Sequence, residues 1–279
     1  MPQRPLRAVE RPEPARRHAD RWLADLEHRL GAPDADWSHL TRETLFELAY
    51  PGQGSWAERA AGPALSSASQ VALDALDPRN VTLEPEYYAE VDQARFARVK
   101  PLLWLWYSFD RLPVGGQNVD VGVQFRRLLA PFIFARVGQN FKCFQHVEFS
   151  FGYQMDVGDD VVVHRHVLLD DRGGIVLGDR VSISDYANIY SHTHSIVDQK
   201  DVTALQTVLE EDVRITYHAT VLAGVRVGRN GMVGASALAT KNVRPYHVHV
   251  GIPAKSIRVK PNAPPDIGAT HRAPDQPHR

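Results

Sequence analysis

The chain has 279 residues, 43% of them hydrophobic and 23% charged, with a formal net charge of −1. That length admits one large domain or two small ones, and the near-neutral balance gives no electrostatic footprint for nucleic acid or an anionic membrane. The single cysteine, Cys143, excludes an intrachain disulfide framework and a cysteine-based structural zinc site. As a lone thiol it reads as a small buried hydrophobe before it reads as a nucleophile.

Residues 1–15 are rich in Pro and Arg and carry no apolar core, so they read as an N-terminal tail without fixed structure and not as a secretory signal. Residues 16–136 read as a helical domain. HADRWLADLEHRL and RETLFELAY place apolar residues three and four apart. PEYYAEVDQARFARVKPLLWLWYSF predicts a helix that starts near Pro85 and kinks at Pro101. FRRLLAPFIFARVG predicts an amphipathic helix over 125–138, closing at Gly138. Its Phe and Leu face suits packing on the next domain, with a membrane surface as the alternative partner. The longest apolar stretch, PLLWLWY, is far short of the roughly 20 residues a membrane span needs, and the protein reads as cytoplasmic.

After Gly138 the helical pattern gives way to a repeat of six. From Leu209 the chain reads LEEDVR, ITYHAT, VLAGVR, VGRNGM, VGASAL, ATKNVR, with an aliphatic or Ala residue first in every hexad and a small or β-branched one fifth. The same register runs through Val157, Val163 and Leu169, then through LGDRVS, ISDYAN and IYSHTH, with a weaker set at Val137, Cys143 and Phe149. Such a period fits neither a helix nor an alternating strand. It fits a chain that turns a corner every six residues and stacks each circuit on the last, giving about five coils of short parallel strands over residues 137–260. Residues 195–208 interrupt it once as an extruded loop, and 261–279 read as a C-terminal tail.

Thirteen histidines are present, and His164, His166, His192, His194 and His218 fall within the repeat. Folding the hexads into coils stacks His166, Tyr186 and His218 in one column, which suits a ligand or a contact between subunits. YSHTHS sets His192 and His194 two apart, on the same side of a strand. Three readings compete for them: a general base, a metal site, or exposed surface.

ATKNVR followed by VGIPAKSIR, together with FGYQMDVGDDV, LLDDRGGIVLGDRVSI and LAGVRVGRNGMVGASALATKNV, resembles the hexapeptide-repeat acyltransferases, and within them the maltose and galactoside O-acetyltransferase group. The resemblance runs from about Phe125 to Arg258 and leaves the first 120 residues outside it. It implies an α+β chain in which a helical domain precedes a left-handed parallel β-helix. It also implies a homotrimer, with acetyl-CoA as acyl donor, no metal, and a sugar or polysaccharide-precursor hydroxyl as acceptor. Residue by residue, it implies His194 as general base. It sets Tyr217, Ala235, Thr240, Lys241, Lys255 and Arg258 at the coenzyme, and His164 at the acceptor; His192, on the same side of the strand as His194, is a candidate to orient the acceptor or is exposed surface. His164 stands where the family has an asparagine, and Tyr217 where it has a serine. Acyl transfer to a hydroxyl needs a base that works near neutral pH, which an imidazole supplies. It also needs donors for the developing oxyanion, which N–H groups at a coil corner provide. Asp198 and Asp201 in the loop are candidates to orient His194. The γ-class carbonic anhydrases share the prism and hold zinc with three histidines, but SHTHSIVDQ lacks the second histidine of their pattern five residues on. A zinc enzyme of that kind and a non-catalytic trimeric scaffold are the alternatives.

Overall fold

The computed structural model describes residues 9–198 and 200–270. The stretches 1–8 and 271–279, read from sequence as tails, lie outside the described residues. Six helices come first: α1 (Glu13–Leu30), α2 (Trp37–Ala49), α3 (Trp56–Ala60), α4 (Ser67–Asp74), α5 (Gln93–Phe109) and α6 (Val119–Ile133). Helix α1 begins inside the stretch read as a tail, with Arg11 beside it paired to Asp120.

Two helix boundaries differ from the sequence reading. The segment after Pro85 makes only a 3-10 turn, Glu84–Tyr87, and α5 starts at Gln93, where the Asp92 side chain accepts the Arg95 N–H as an N-cap. The helix then runs through Pro101 to Phe109, burying Phe96, Leu102, Leu103, Leu105, Trp106 and Phe109. At the other boundary α6 stops at Ile133, because Phe134 is extended and Ala135 already donates to the Met155 carbonyl at 3.0 Å. The repeat claims those residues before Gly138 is reached.

The repeat builds a parallel β-solenoid. The first coil is β1 (Arg136–Val137), β2 (Lys142–Cys143) and β3 (Glu148–Phe149); the second is β4 (Met155–Val157), β5 (Val162–Val163) and β6 (Leu168–Asp170); the third is β7 (Ile175–Leu177), β8 (Ser182–Ile183) and β9 (Asn188–Tyr190). A hairpin, β10 (His192–His194) with β11 (Val202–Ala204), leaves the solenoid there. The fourth coil is β12 (Thr207–Leu209), β13 (Arg214–Ile215) and β14 (Thr220–Val221), and the fifth is β15 (Arg226–Val227), β16 (Met232–Val233) and β17 (Leu238–Ala239). A sixth turn follows through Val243 and β18 (His247–Val250), and β19 (Lys255–Val259) returns antiparallel to close the end. The short helix α7 (Pro265–Thr270) lies within the stretch read as the C-terminal tail.

Strands stack in register into three faces of order β1-β4-β7-β12-β15, β2-β5-β8-β13-β16-β18 and β3-β6-β9-β14-β17. This is the architecture of a left-handed β-helix of about six turns, preceded by a helical region. The first hexad column fills its axis: Leu209, Ile215, Val221, Val227 and Val233 are all 0% exposed. In the first five coils, two of the three corners each take one non-glycine residue through positive φ. At the corner between the first and second faces these are Asn140, Asp160, Arg180, Asp212 and Asn230; between the second and third they are His146, His166, Tyr186, His218 and Ser236. Coil-to-coil approach is close enough that a Cβ on Gly158 would stand 2.8 Å from the Asp179 backbone N, so that corner excludes larger residues.

Candidate active site

Between the third face and the first, the chain does not simply turn after β9. Ser191, fully buried, anchors the departure: its hydroxyl donates to the Asp170 carbonyl at 2.6 Å and accepts the Gly173 N–H at 2.8 Å, while its carbonyl accepts the Leu205 N–H at 2.7 Å. A Cβ on Gly173 would lie 2.1 Å from the Ser191 carbonyl oxygen, so only glycine lets the root of the hairpin sit this close. The returning strand is tied in turn, with the Thr207 hydroxyl donating to the Tyr190 carbonyl at 2.6 Å. The excursion is thereby given a fixed base.

His192 is held at both ring nitrogens. Nδ1 bonds the Asp170 carboxylate, whose other oxygen accepts the Ser150 hydroxyl at 2.6 Å, and Nε2 lies 3.1 Å from Nη1 of Arg172. A carboxylate only accepts and a guanidinium only donates, so this arrangement selects one species: a neutral imidazole with its proton on Nδ1. The expected contact between His192 and an acceptor therefore has no free ring nitrogen to use. His194 differs. It is exposed at the outer end of β10, its ring set at 89° to that of His192 with centroids 5.1 Å apart, and among the described residues its side chain makes no hydrogen bond. Asp198 caps the Lys200 N–H at 3.0 Å, and among the described residues neither its carboxylate nor that of Asp201 bonds the His194 ring.

Asp171, next to Asp170, is fully buried and accepts the Phe151 N–H at 2.6 Å and the Gln154 N–H at 3.1 Å. Burial pushes its carboxyl up to about 6 despite those bonds. A carboxyl with a raised native pKa stabilises the fold fully below its unfolded value near 3.8, and that contribution is lost as pH rises through about 6. Urea unfolding at pH 4 and pH 7 is therefore expected to show an Asp171-dependent loss on the order of 3 kcal/mol. Asp171→Asn should flatten that slope; an equally steep slope in the variant would rule out Asp171 as its source.

The remaining predicted residues fall on other parts of the prism. Thr240 and Lys241 are exposed on the same edge as the hairpin, two coils further on, and Lys255 and Arg258 are exposed on β19. Among the described residues none of these three cations has an ion-pair partner. His164, Tyr217 and Ala235 lie on the neighbouring edge, between the second and third faces, with His164 stacked on Phe144 at 5.0 Å. On that edge the ring column is real and one member longer than the repeat suggested: His146, His166, Tyr186 and His218 stack at 4.7, 4.8 and 4.9 Å. The sequence reading missed Asp170 and Arg172, whose signal was the acidic pair and the arginine closing the second coil. Cys143 is buried, and burial raises its thiol well above the usual range, so it is unsuited to nucleophilic work. Among the described residues no three His, Cys, Asp or Glu side chains converge as a metal would require, and no helix is long and apolar enough to cross a membrane.

No protein-family model matches the chain. Curated relatives do. The galactoside O-acetyltransferase of Escherichia coli K12 is 26% identical over 140 residues, covering 49% of this chain and 69% of that protein. A putative serine acetyltransferase of Schizosaccharomyces pombe is 31% identical over 105 residues, but the chain spans only 39% of its length. An Escherichia coli chloramphenicol acetyltransferase is 41% identical over 63 residues, which span 30% of its length. Among solved structures, a maltose O-acetyltransferase from Clostridium difficile 630 superposes with a TM-score of 0.54 at 22% identity, over 62% of this chain and 91% of that one. A hexapeptide-repeat acetyltransferase from Vibrio cholerae, solved with acetyl coenzyme A, gives 0.53 at 20% identity over 66% and 98%. At such identities the superpositions speak for the fold.

Proposed function

We propose that the chain is a hexapeptide-repeat acetyltransferase and that it moves an acetyl group from acetyl-CoA to a hydroxyl of a sugar or polysaccharide precursor, with His194 as general base. The observation that carries this reading is the imidazole of His194, which makes no hydrogen bond among the described residues and is exposed on a hairpin whose root is fixed by Ser191. It has a nitrogen to spare, and its neighbour His192 does not. The galactoside O-acetyltransferase among the relatives supports a sugar acceptor.

The end of the prism suits the donor. Lys241, Lys255 and Arg258 are exposed cations without ionic partners among the described residues, chemistry that suits phosphates. Ala235 is small enough to let a pantetheine arm pass, with Thr240 and Tyr217 as further contacts. Bound acetyl-CoA would supply an activated thioester carbonyl. His194 then removes the acceptor's proton as the hydroxyl oxygen bonds to that carbonyl carbon, the carbon–sulfur bond breaks, and the proton passes to the leaving thiolate. The test is thiol release from acetyl-CoA across a panel of saccharides and other hydroxyl compounds; release with none of them would sink the reading.

His194, Thr240 and Lys241 occupy one edge of the prism, whereas His164, Tyr217 and Ala235 occupy the next, a whole face away. One coenzyme reaches both sets where edges of two subunits meet, so we read the active unit as a homotrimer with interchain sites. Light scattering should return three times the 31.2 kDa chain mass, and a monomer at micromolar concentration would remove the interchain site. Lys241→Ala is expected to weaken acetyl-CoA binding while the fold stays intact, as an exposed corner tolerates the change; calorimetry giving equal affinities would displace Lys241 from the phosphates. We place the reaction in the cytoplasm.

A further inference from the structure

The helical region reaches the corner from which the hairpin departs. Its segment between the Glu84–Tyr87 turn and α5 lies along this edge of the first coils, with the Asp92 N–H donating to the Tyr153 hydroxyl at 3.0 Å and Arg95 donating to the Tyr153 carbonyl at 2.7 Å. From that segment Glu90 pairs with the guanidinium of Arg172, and the Tyr88 ring lies beneath it, 3.9 Å from centroid to Cζ. The Arg172 side chain is 7% exposed. Its remaining arm points at Nε2 of His192, 3.1 Å away.

Deepening the assignment of His194 as base, on which it rests, we propose that Arg172 is a positioning residue for the reaction, held in place by Tyr88 and Glu90 of the helical region. The chain of donors and acceptors is Glu90, Arg172, His192, Asp170, Ser150. Each member fixes the next: Arg172 can only donate, so it forces His192 to present a lone pair at Nε2 and its proton to Asp170 at Nδ1. The ring is thereby locked in one tautomer and one orientation. His192 stands two residues before His194 on the same strand, on the same side, and packs edge to face against it. A fixed His192 gives the base a wall to stand against in an otherwise exposed hairpin.

Glu90 has a specific task in this scheme. Without Glu90 the nearly buried guanidinium would lose its anion, and its hold on Nε2 of His192 would loosen. Glu90 satisfies Arg172 from the other side, and stacking on Tyr88 sets the plane of the guanidinium. The first 120 residues are then no separate module. They supply two side chains that keep the catalytic corner in working geometry, though neither touches the reacting atoms.

The test uses the full chain with Arg172→Ala, Arg172→Lys and Glu90→Ala, read by steady-state kinetics and by nitrogen-15 NMR of the histidine rings. In the parent, His192 should appear as the Nδ1–H tautomer. Arg172→Ala should abolish that fixed signature and lower kcat by about 10-fold, short of the loss on removing the base, with KM for acetyl-CoA unchanged. Arg172→Lys should recover part of the rate, since an ammonium donates one bond without the planar fork. Glu90→Ala, at a partly exposed position, should reproduce the loss without unfolding. His194→Ala should leave the His192 signature as in the parent. An unchanged His192 signature in both Arg172→Ala and Glu90→Ala would overturn the proposal, as would an unchanged kcat. Should the parent release no thiol with any acceptor, the acetyl-transfer reading falls while the tautomer measurement still decides whether Arg172 fixes His192.

Discussion

His194→Ala is expected to lower kcat by about 10²-fold or more while acetyl-CoA affinity stays near that of the parent. A base must come within about 2.6 to 3.2 Å of the proton it removes, directly or through one water. His194 is free to do so. It is exposed, has no hydrogen bond to break among the described residues, and stands at the end of the hairpin strand, next to the loop that would cover an acceptor. No coenzyme contact is assigned to it, so donor affinity should survive its removal. His192→Ala should behave otherwise. It strips a partner from the buried Asp170 carboxylate and leaves one arm of Arg172 without an acceptor, which costs stability of about 1–3 kcal/mol. Its effect on turnover should be smaller and indirect. If instead His192→Ala abolishes turnover in a stable protein while His194→Ala does not, or if both release a bound metal, the base has been misassigned.

The period of six was legible because the axis tolerates only apolar side chains, and every coil must present one to each face. Leu209, Ile215, Val221, Val227 and Val233 are read directly from that rule and are buried without exception. Helix ends were less legible. The stretch after Pro85 has a helical composition, yet Asp92 caps the helix seven residues later because its side chain satisfies the free Arg95 N–H. FRRLLAPFIFARVG carries helical spacing to Gly138, but Arg136 and Val137 find strand partners in Asp156 and Val157, and the sheet claims them. At the site, the two histidines of YSHTHS were plain, but what separates them was not. The distinction depends on Arg172, one coil of 20 residues below His192, and on Glu90, 82 residues before Arg172. The first distance can be counted from the repeat once coil length is known. The second arises from docking of the helical region, for which the repeat supplies no register.

Asp110→Ala is expected to destabilise the fold by about 3–5 kcal/mol. Asp110 ends α5 and pairs with Arg126 of α6, both side chains almost wholly buried, and its other oxygen accepts the His146 N–H at 2.6 Å. Arg126 also donates to the Cys143 carbonyl at 3.3 Å, so this one pair ties two helices to the first coil. Removing the carboxylate strands a cation whose Nε already lacks a partner and which has no second ion pair among the described residues. Replacing both residues together with apolar ones of similar volume, Asp110→Leu with Arg126→Met, should recover much of the loss, because the larger cost lies in the unpaired charge. Because Glu90 and Tyr88 belong to the same helical region, a loosened dock should also release Arg172. Asp110→Ala is therefore expected to lose the fixed His192 tautomer at a temperature where the solenoid, read by circular dichroism, is still folded. Loss of both signals in a single transition would mean that helical region and prism unfold as one unit, and a change in urea midpoint worth less than about 1 kcal/mol would show that the pair is dispensable.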